Sequence, residues 1–470
     1  MQSTSSLQEP SETTLRHAIL QLIEPVVFNN LLRDSNGKHL WKFLDWNPND
    51  LAEKLGDLKL PFRIGFNART TEPQWDLKCD VKSMTMRNFL ENVGTLVESN
   101  EWQYFDYKYM HEWFSHHPEI LSSFDWKRFG FDQRGEDSTL WIGSQGAHTN
   151  CHQDTYGCNL VAQVHGRKRW LLFSPDSHNK LQPTRVPYEE STVYSSFNFF
   201  CPSKDDEEAL LRTDPKARMV ILEPGQVLLV PNGWWHYVES IDLSISVNIW
   251  IPLAADCHSR VGEALVNLIV KEIGKGFIPT SDKTLHAPSE AVRLIQTCIE
   301  KCNVEKDDSP SVKKFKETRW SAKELVEQYF NYVTLIPVLK NEELQELLSK
   351  NRDRFPNIKH KYLEMNRSNQ SSVHQQIRND VVNALCHPDV IEKVTHLILR
   401  SSHLRFGDER VLLRKHYTIP IGFLVRIVTI LKIARIISSM HYSDVIWRDE
   451  SITHSPNTLQ AVDQELQSKK

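Results

Sequence analysis

Leu15, Ile19, Leu20 and Ile23 recur every three to four residues and predict a helix beginning at Leu15. LPFRIGF (60–66) reads as a strand, SMTMRNFLENVGTLVES (83–99) as a helix, and YMHEWFSHHPEILSSF (109–124) as a helix followed by a turn. From Ser138 to Pro252 the pattern changes. Short apolar runs (TLWIGS, NLVAQVHG, KRWLLFSP, ARMVILEPG, QVLLVP, HYVES, LSISVNIWIP) are punctuated by Gly, Pro, Asn or Asp. Many short strands at close spacing predict a β-sandwich or barrel. Beyond Pro252 helix-period apolar faces return in CHSRVGEALVNLIVKEIGKGF and SAKELVEQYFNYVTLIPVLKNEELQELLSK. The polar stretch NRDRFPNIKHKYLEMNRSNQSSVHQQ reads as linker, and no internal repeat is visible.

These patterns divide the chain into a mobile, Ser/Thr/Glu-rich start (1–16), a flank of helices and strands (17–135), a β core (136–255), a helical region (256–350) and a partly linker-like C-terminal region (351–470). The most apolar run near the end, IPIGFLVRIVTILKIARII (419–437), carries Arg426, Lys432 and Arg435. A membrane span needs about 20 nearly uncharged residues. This run is therefore expected to be an amphipathic helix that associates, for instance in a homodimer, and no membrane segment is expected.

Composition narrows the function classes. A chain of 470 residues with 40% hydrophobic content can bury a large core, and more than one domain is expected. The net charge of −4 gives no general attraction to nucleic acid or anionic membranes. Eight cysteines without a signal-peptide pattern point to free thiols in the cytoplasm or nucleus. No Gly-rich phosphate loop and no CxxC occur. HEWFSH (111–116) is one residue too long for a helical zinc pair, which needs i and i+4. Cys298 and Cys302 read as free helix thiols, Cys151 and Cys158 as packing residues, and Trp234 and Trp235 as packing rather than a substrate groove.

One constellation carries chemistry. His152 and Asp154 stand two apart in a strand and so share a face. His236 opens another strand just after a turn. Two imidazoles and one carboxylate on one side of an ion form the facial triad of non-haem Fe(II) oxygenases, with positions left for a bidentate 2-oxo acid and dioxygen. The same donors also suit hydrolytic zinc, and the residues alone leave both metals open. Lys168 begins the strand after a Gly turn, and Thr149 lies three before His152. Together they could hold the far carboxylate of a 2-oxo acid, which cannot be buried without a cation and donors.

TNCHQDTYGCNLVAQVHGRKRWLLFSP, LEPGQVLLVPNGWWHYVES and SVNIW resemble the JmjC family of Fe(II)- and 2-oxoglutarate-dependent oxygenases. The branch is that of the asparaginyl hydroxylase of hypoxia-inducible factor and the tRNA wybutosine hydroxylase. STLWIGSQGAHTNCHQDTYGCNLV, PTRVPYEES and PNGWWHYVESID bring it nearest to JmjC proteins associated with a small heat-shock protein. The resemblance is dense over residues 100–252. It implies a mainly β core, a double-stranded β-helix of cupin or jelly-roll type, between an α-helical N-terminal flank and an α-helical C-terminal region. It implies iron on His152, Asp154 and His236, and 2-oxoglutarate on Lys168 and Thr149. Tyr104, with Tyr107 as its rival, would join that carboxylate, and Asn159 and Asn248 would stand near the co-substrate or iron. The implied reaction is dioxygen-dependent hydroxylation, with demethylation as a variant of the same chemistry. A protein substrate is favoured over a tRNA base. A non-catalytic scaffold that binds a small heat-shock protein is the competing reading.

Overall fold

Alternating apolar and polar residues in 138–252 fold into antiparallel strands joined by tight turns, seen here in a computed structural model. The structure describes residues 8–273, 288–307, 320–355 and 373–406, apart from Arg69, Thr71 and 97–99. In chain order the strands are β1 (Val26–Phe28), β2 (Lys59–Phe66), β3 (Asp80–Thr85), β4 (Glu101–Tyr109), β5 (Thr139–Gly143), β6 (His148–Asp154), β7 (Cys158–His165) and β8 (Lys168–Phe173). They continue with β9 (Pro183–Thr184), β10 (Thr192–Ser195), β11 (Arg218–Leu222), β12 (Val227–Val230), β13 (Trp235–Ser240), β14 (Ser244–Ile251) and β15 (Val333–Leu335).

They form two sheets. One has nine strands, ordered β15-β1-β12-β7-β14-β5-β4-β2-β3, and the other has six, ordered β11-β8-β13-β6-β10-β9. Side-chain parity sorts the residues. On β7, Leu160 and Ala162 join a core with Phe28, Trp126 and the helix Glu12–Gln21 on the outer face of the large sheet. Asn159 and Val161 point the other way, into the space between the sheets. The outer face of the small sheet is covered by Phe197, Phe199, Leu344 and Leu348, which pack on Phe173, Trp235 and Tyr237. Each fully buried Leu or Phe of this kind contributes roughly 1.5–3 kcal/mol. Because the greasy contacts are made on the outer faces, the inner space can carry polar residues. The mainly β core with helical flanks is thus as the sequence implies.

Several elements differ from expectation. The flank 17–135, read as helices and strands, adds β1 to β4 to the large sheet. The first helix starts at Glu12, inside the stretch read as mobile, because the Ser11 hydroxyl accepts from the Thr14 amide and caps it. Residues 83–85 belong to β3, and Thr85 caps a shorter helix, Met86–Val93. The 109–124 stretch splits into Met110–Trp113 and Pro118–Leu121, as Pro118 disfavours helical backbone at His117. Within the expected helical region, Val333–Leu335 is a strand that completes the edge of β1. Asn351 is the buried end of the helix Asn341–Asp353 rather than linker, and its amide donates to the Phe199 carbonyl at 2.9 Å.

The helix Asp256–Ile273 packs against Pro288–Asp307 and the pair Val373–Leu385 and Pro388–Phe406, through Val261, Leu265, Ile295 and Val382. No helix among the described residues is long and apolar enough to cross a membrane. The segment 419–437 lies outside the described residues.

Gly166 turns β7 into β8 with φ +60°, and a Cβ there would lie 1.9 Å from the Leu243 carbonyl oxygen. Positive φ alone costs a non-Gly residue about 1–3 kcal/mol. Gly166→Ala is expected to lower stability by at least about 2 kcal/mol, read as a lower urea midpoint.

Candidate metal centre

The centre is assembled across one strand pair. His152 and Asp154 project from β6 into the space between the sheets, and β13 runs antiparallel to it with His236 directly opposite His152. The two imidazole centroids are 4.1 Å apart. Asp154 Oδ1 lies 3.6 Å from His152 Nε2, and Asp154 Oδ2 lies 4.0 Å from His236 Nε2. The ligand atoms of all three residues fall within 4.8 Å of one another.

Each imidazole is oriented by the main chain. His152 Nδ1 is 2.8 Å from the Asn150 carbonyl, and His236 Nδ1 is 3.1 Å from the Trp234 carbonyl. A carbonyl oxygen only accepts, so Nδ1 carries the hydrogen and the Nε2 lone pair faces Asp154. Burial, and then the neighbouring His152, push the His236 pKa down to about 4 against the pull of Asp154. At neutral pH this imidazole is a free base, as a metal ligand must be. The Trp170 ring stacks on His236, and Trp250 Nε1 donates to Asp154 Oδ2 at 3.0 Å. Trp250→Phe keeps the ring packing but removes that donor. Outer-shell losses of this type cost 10–100-fold in metal affinity, so a weakening of about that size is expected in a chelator competition titration.

Lys168, the first residue of β8, is 2% exposed. Its Nζ donates to Tyr104 Oη at 3.1 Å and to Ser246 Oγ at 2.9 Å. Among the described residues no carboxylate lies within ion-pair distance of it. Burial lowers its pKa to about 7, with Asp106 opposing from farther off. Thr149 faces the same Tyr104 hydroxyl. Its odd separation from His152 would ordinarily put it on the opposite face. However, β13 residues 236 to 238 pair with β6 residues 152 to 149, so one extra residue bulges from β6 and restores Thr149 to the inner face. Of the two tyrosines, Tyr104 meets Lys168. Tyr107 stands on a bulge of β4 with φ +51°, is 44% exposed, and packs its ring on Trp141 and Trp250.

Asn248 Nδ2 donates to Asn159 Oδ1 at 2.8 Å, and Trp141 Nε1 donates to Asn248 Oδ1 at 2.7 Å. The two buried amides thus satisfy each other on neighbouring strands, as buried polar groups must. A cavity of about 870 Å³ joins these groups, and His152, Asp154, His236, Lys168, Thr149 and Asn248 all line it. Sequence reasoning passed over Ser246 and Trp250. The signal was present, because in SVNIW they stand two residues either side of Asn248 and must share its face. Cys151, Cys158, Trp234 and Trp235 are buried packing residues.

The sequence profile of the cupin-like domain matches residues 12–252. HSPB1-associated protein 1 of Bos taurus is 40% identical over 292 residues, covering 58% of this chain and 58% of its own length. The HSPB1-associated protein 1 homolog of Danio rerio is 33% identical over 443 residues, 82% of this chain and 96% of its own. Lysine-specific demethylase JMJ30 of Arabidopsis thaliana is 28% identical over 237 residues, about half of each chain. The matched stretch spans less than two thirds of the mammalian relatives. The profile match over half the chain and the zebrafish relative agree with the two-sheet core and its His-Asp-His wall: the chain belongs to the cupin-like JmjC domain family, which includes oxygenases and demethylases.

Proposed function

We propose that this chain is an Fe(II)- and 2-oxoglutarate-dependent dioxygenase that hydroxylates a protein side chain. The observation that carries the reading is the buried Lys168 ammonium, which shares a cavity with the His152, Asp154 and His236 donors and, among the described residues, meets the Tyr104 and Ser246 hydroxyls and the Tyr104 and Trp141 rings but no carboxylate. A buried cation without an anion is costly. A hydrolytic zinc site has no use for one at this position, whereas a 2-oxo acid brings the missing carboxylate. Two imidazole nitrogens and one carboxylate also fit Fe(II) as donors.

In this reading His152, Asp154 and His236 hold the iron. Lys168 binds the distal carboxylate of 2-oxoglutarate, and Tyr104, Thr149 and Ser246 complete the donor set around it. Asn159 and Asn248 brace the wall between these two sets. Trp250 orients Asp154, and Trp170 shields His236 from water. When bound, iron and 2-oxoglutarate supply a reaction in which dioxygen, 2-oxoglutarate and a substrate C–H bond give carbon dioxide, succinate and C–OH.

The protein substrate is supported by the name of the plant relative, a lysine-specific demethylase. The names of the animal relatives support a small heat-shock protein as partner or substrate of this chain. The test is anaerobic titration of the purified chain with Fe(II) and 2-oxoglutarate. A weak visible charge-transfer band is expected, absent in His152→Ala and weakened in Lys168→Ala. Metal binding without such a band would turn the reading to zinc chemistry or to a scaffold.

A further inference from the structure

A second cluster of metal-ligating side chains lies outside the cavity. His178 sits in the 3-10 turn Pro175–Lys180, which follows β8. His387 and Asp389 open the helix Pro388–Phe406. Each of the three offers one ligand atom within 4.8 Å of the other two. Among the described residues, His178 Nε2 is a buried nitrogen with no hydrogen-bond partner, a condition that native interiors rarely tolerate. Its ring packs beside Trp235 and stands perpendicular to the His387 ring, with centroids 5.1 Å apart.

His387 Nδ1 accepts the Asp389 amide at 3.3 Å and lies 3.6 Å from Asp389 Oδ2. That nitrogen has one lone pair, so an ion on the Asp389 side would take it in place of this long hydrogen bond. The nearby Arg185 cation is matched by Glu263.

We propose that His178, His387 and Asp389 form a second metal site, for a divalent cation of the zinc class, that pins the C-terminal helix pair to the barrel. Two imidazole nitrogens and one carboxylate are common zinc donors, and water completes a tetrahedron on the exposed Asp389 side. The site has a structural reason to exist. Besides apolar packing around Tyr188 and the helix Asp256–Ile273, polar contacts join the pair to the barrel. One is Asn383 Oδ1, which accepts from the Arg185 amide at 2.8 Å and from Thr184 Oγ1 at 3.2 Å. A bound ion would replace such reversible contacts with coordination between two segments about 200 residues apart in the chain. The site does not depend on the identity of the metal in the cavity.

The test uses the full chain and Zn(II) alone. His152→Ala/Asp154→Ala removes two of the three cavity donors and leaves His236 alone there. This background protein is expected to retain one zinc per chain through gel filtration and to melt at a higher temperature with zinc than without. Adding His387→Ala, or separately Asp389→Asn, should abolish both the retained zinc and the shift. Asp389 is exposed and His387 is partly exposed, so these two substitutions keep the test interpretable if His178→Ala, at a ring that sits against Trp235, fails to fold. A background protein that retains no zinc, or one whose zinc and melting shift survive both further substitutions, would overturn the second site. Either result leaves the oxygenase reading where the anaerobic titration puts it.

Discussion

Lys168→Met is expected to weaken 2-oxoglutarate binding by about 30- to 4,000-fold while raising the stability of the protein without ligand. The two effects share one cause. Truncating one partner of a buried, hydrogen-bonded charge pair costs about 2–5 kcal/mol, and each 1.4 kcal/mol is tenfold. Without the ligand, Lys168 is a buried ammonium with no counter-ion among the described residues, and an apolar side chain of similar length removes that penalty. The sign with pH follows from a pKa lowered from 10.5 to about 7. Between those values the unfolded chain holds the proton and the folded chain has released it, so stability rises with pH across this window. The penalty is fully present below about pH 7 and gone above the unfolded value. The melting-temperature gap between Lys168→Met and the parent should therefore be widest near neutral pH and close toward pH 10. Binding of a carboxylate reverses the shift. Calorimetry above pH 7 in buffers of different ionisation enthalpy should show proton uptake with 2-oxoglutarate. A Lys168→Met protein that binds 2-oxoglutarate like the parent would remove Lys168 from the site.

Asp154→Ala should lower Fe(II) affinity by more than about 100-fold, because losing a ligand must exceed the 10–100-fold cost of losing an outer-shell partner. Conversion of 2-oxoglutarate to succinate should fall to background with it. Stability of the metal-free protein should change little. Asp154 is partly exposed, and among the described residues its one hydrogen bond comes from Trp250; such a bond contributes about 0.5–1.5 kcal/mol. The two imidazoles keep their carbonyl anchors and their tautomers. Metal content after dialysis and succinate formation are the readouts, and unchanged turnover in Asp154→Ala would end the assignment of the triad.

The parts of this site that were legible in the sequence obey strand parity. His152 and Asp154 are two apart, and the turn before His236 brings it back beside them. Lys168 was legible because it starts a hairpin strand after Gly166. Thr149 is legible as a hydroxyl three residues before His152, but strand parity would turn it to the opposite face, and only the β6 bulge brings it to the inner one. A bulge leaves no composition signal in TNCHQ. Tyr104 could not be separated from Tyr107 because β4 is itself irregular between Phe105 and Lys108, so alternation breaks between the two tyrosines. The strand Val333–Leu335 was read as helix because its neighbours carry helical period. Only β1, some 300 residues earlier, makes it a strand, an instance of tertiary pairing overriding local preference.

The position of β1 also has a consequence during synthesis. Residues 26–28 pair with 227–229 on one side and 333–335 on the other. At roughly 5–20 residues per second the nascent chain exposes β1 for roughly 10–40 s before its first partner is made. For that interval a fully apolar Val-Val-Phe edge, buried in the finished protein, waits beside the ribosome. The large sheet closes only once residue 335 is free, so this fold is sealed late, by its helical C-terminal half.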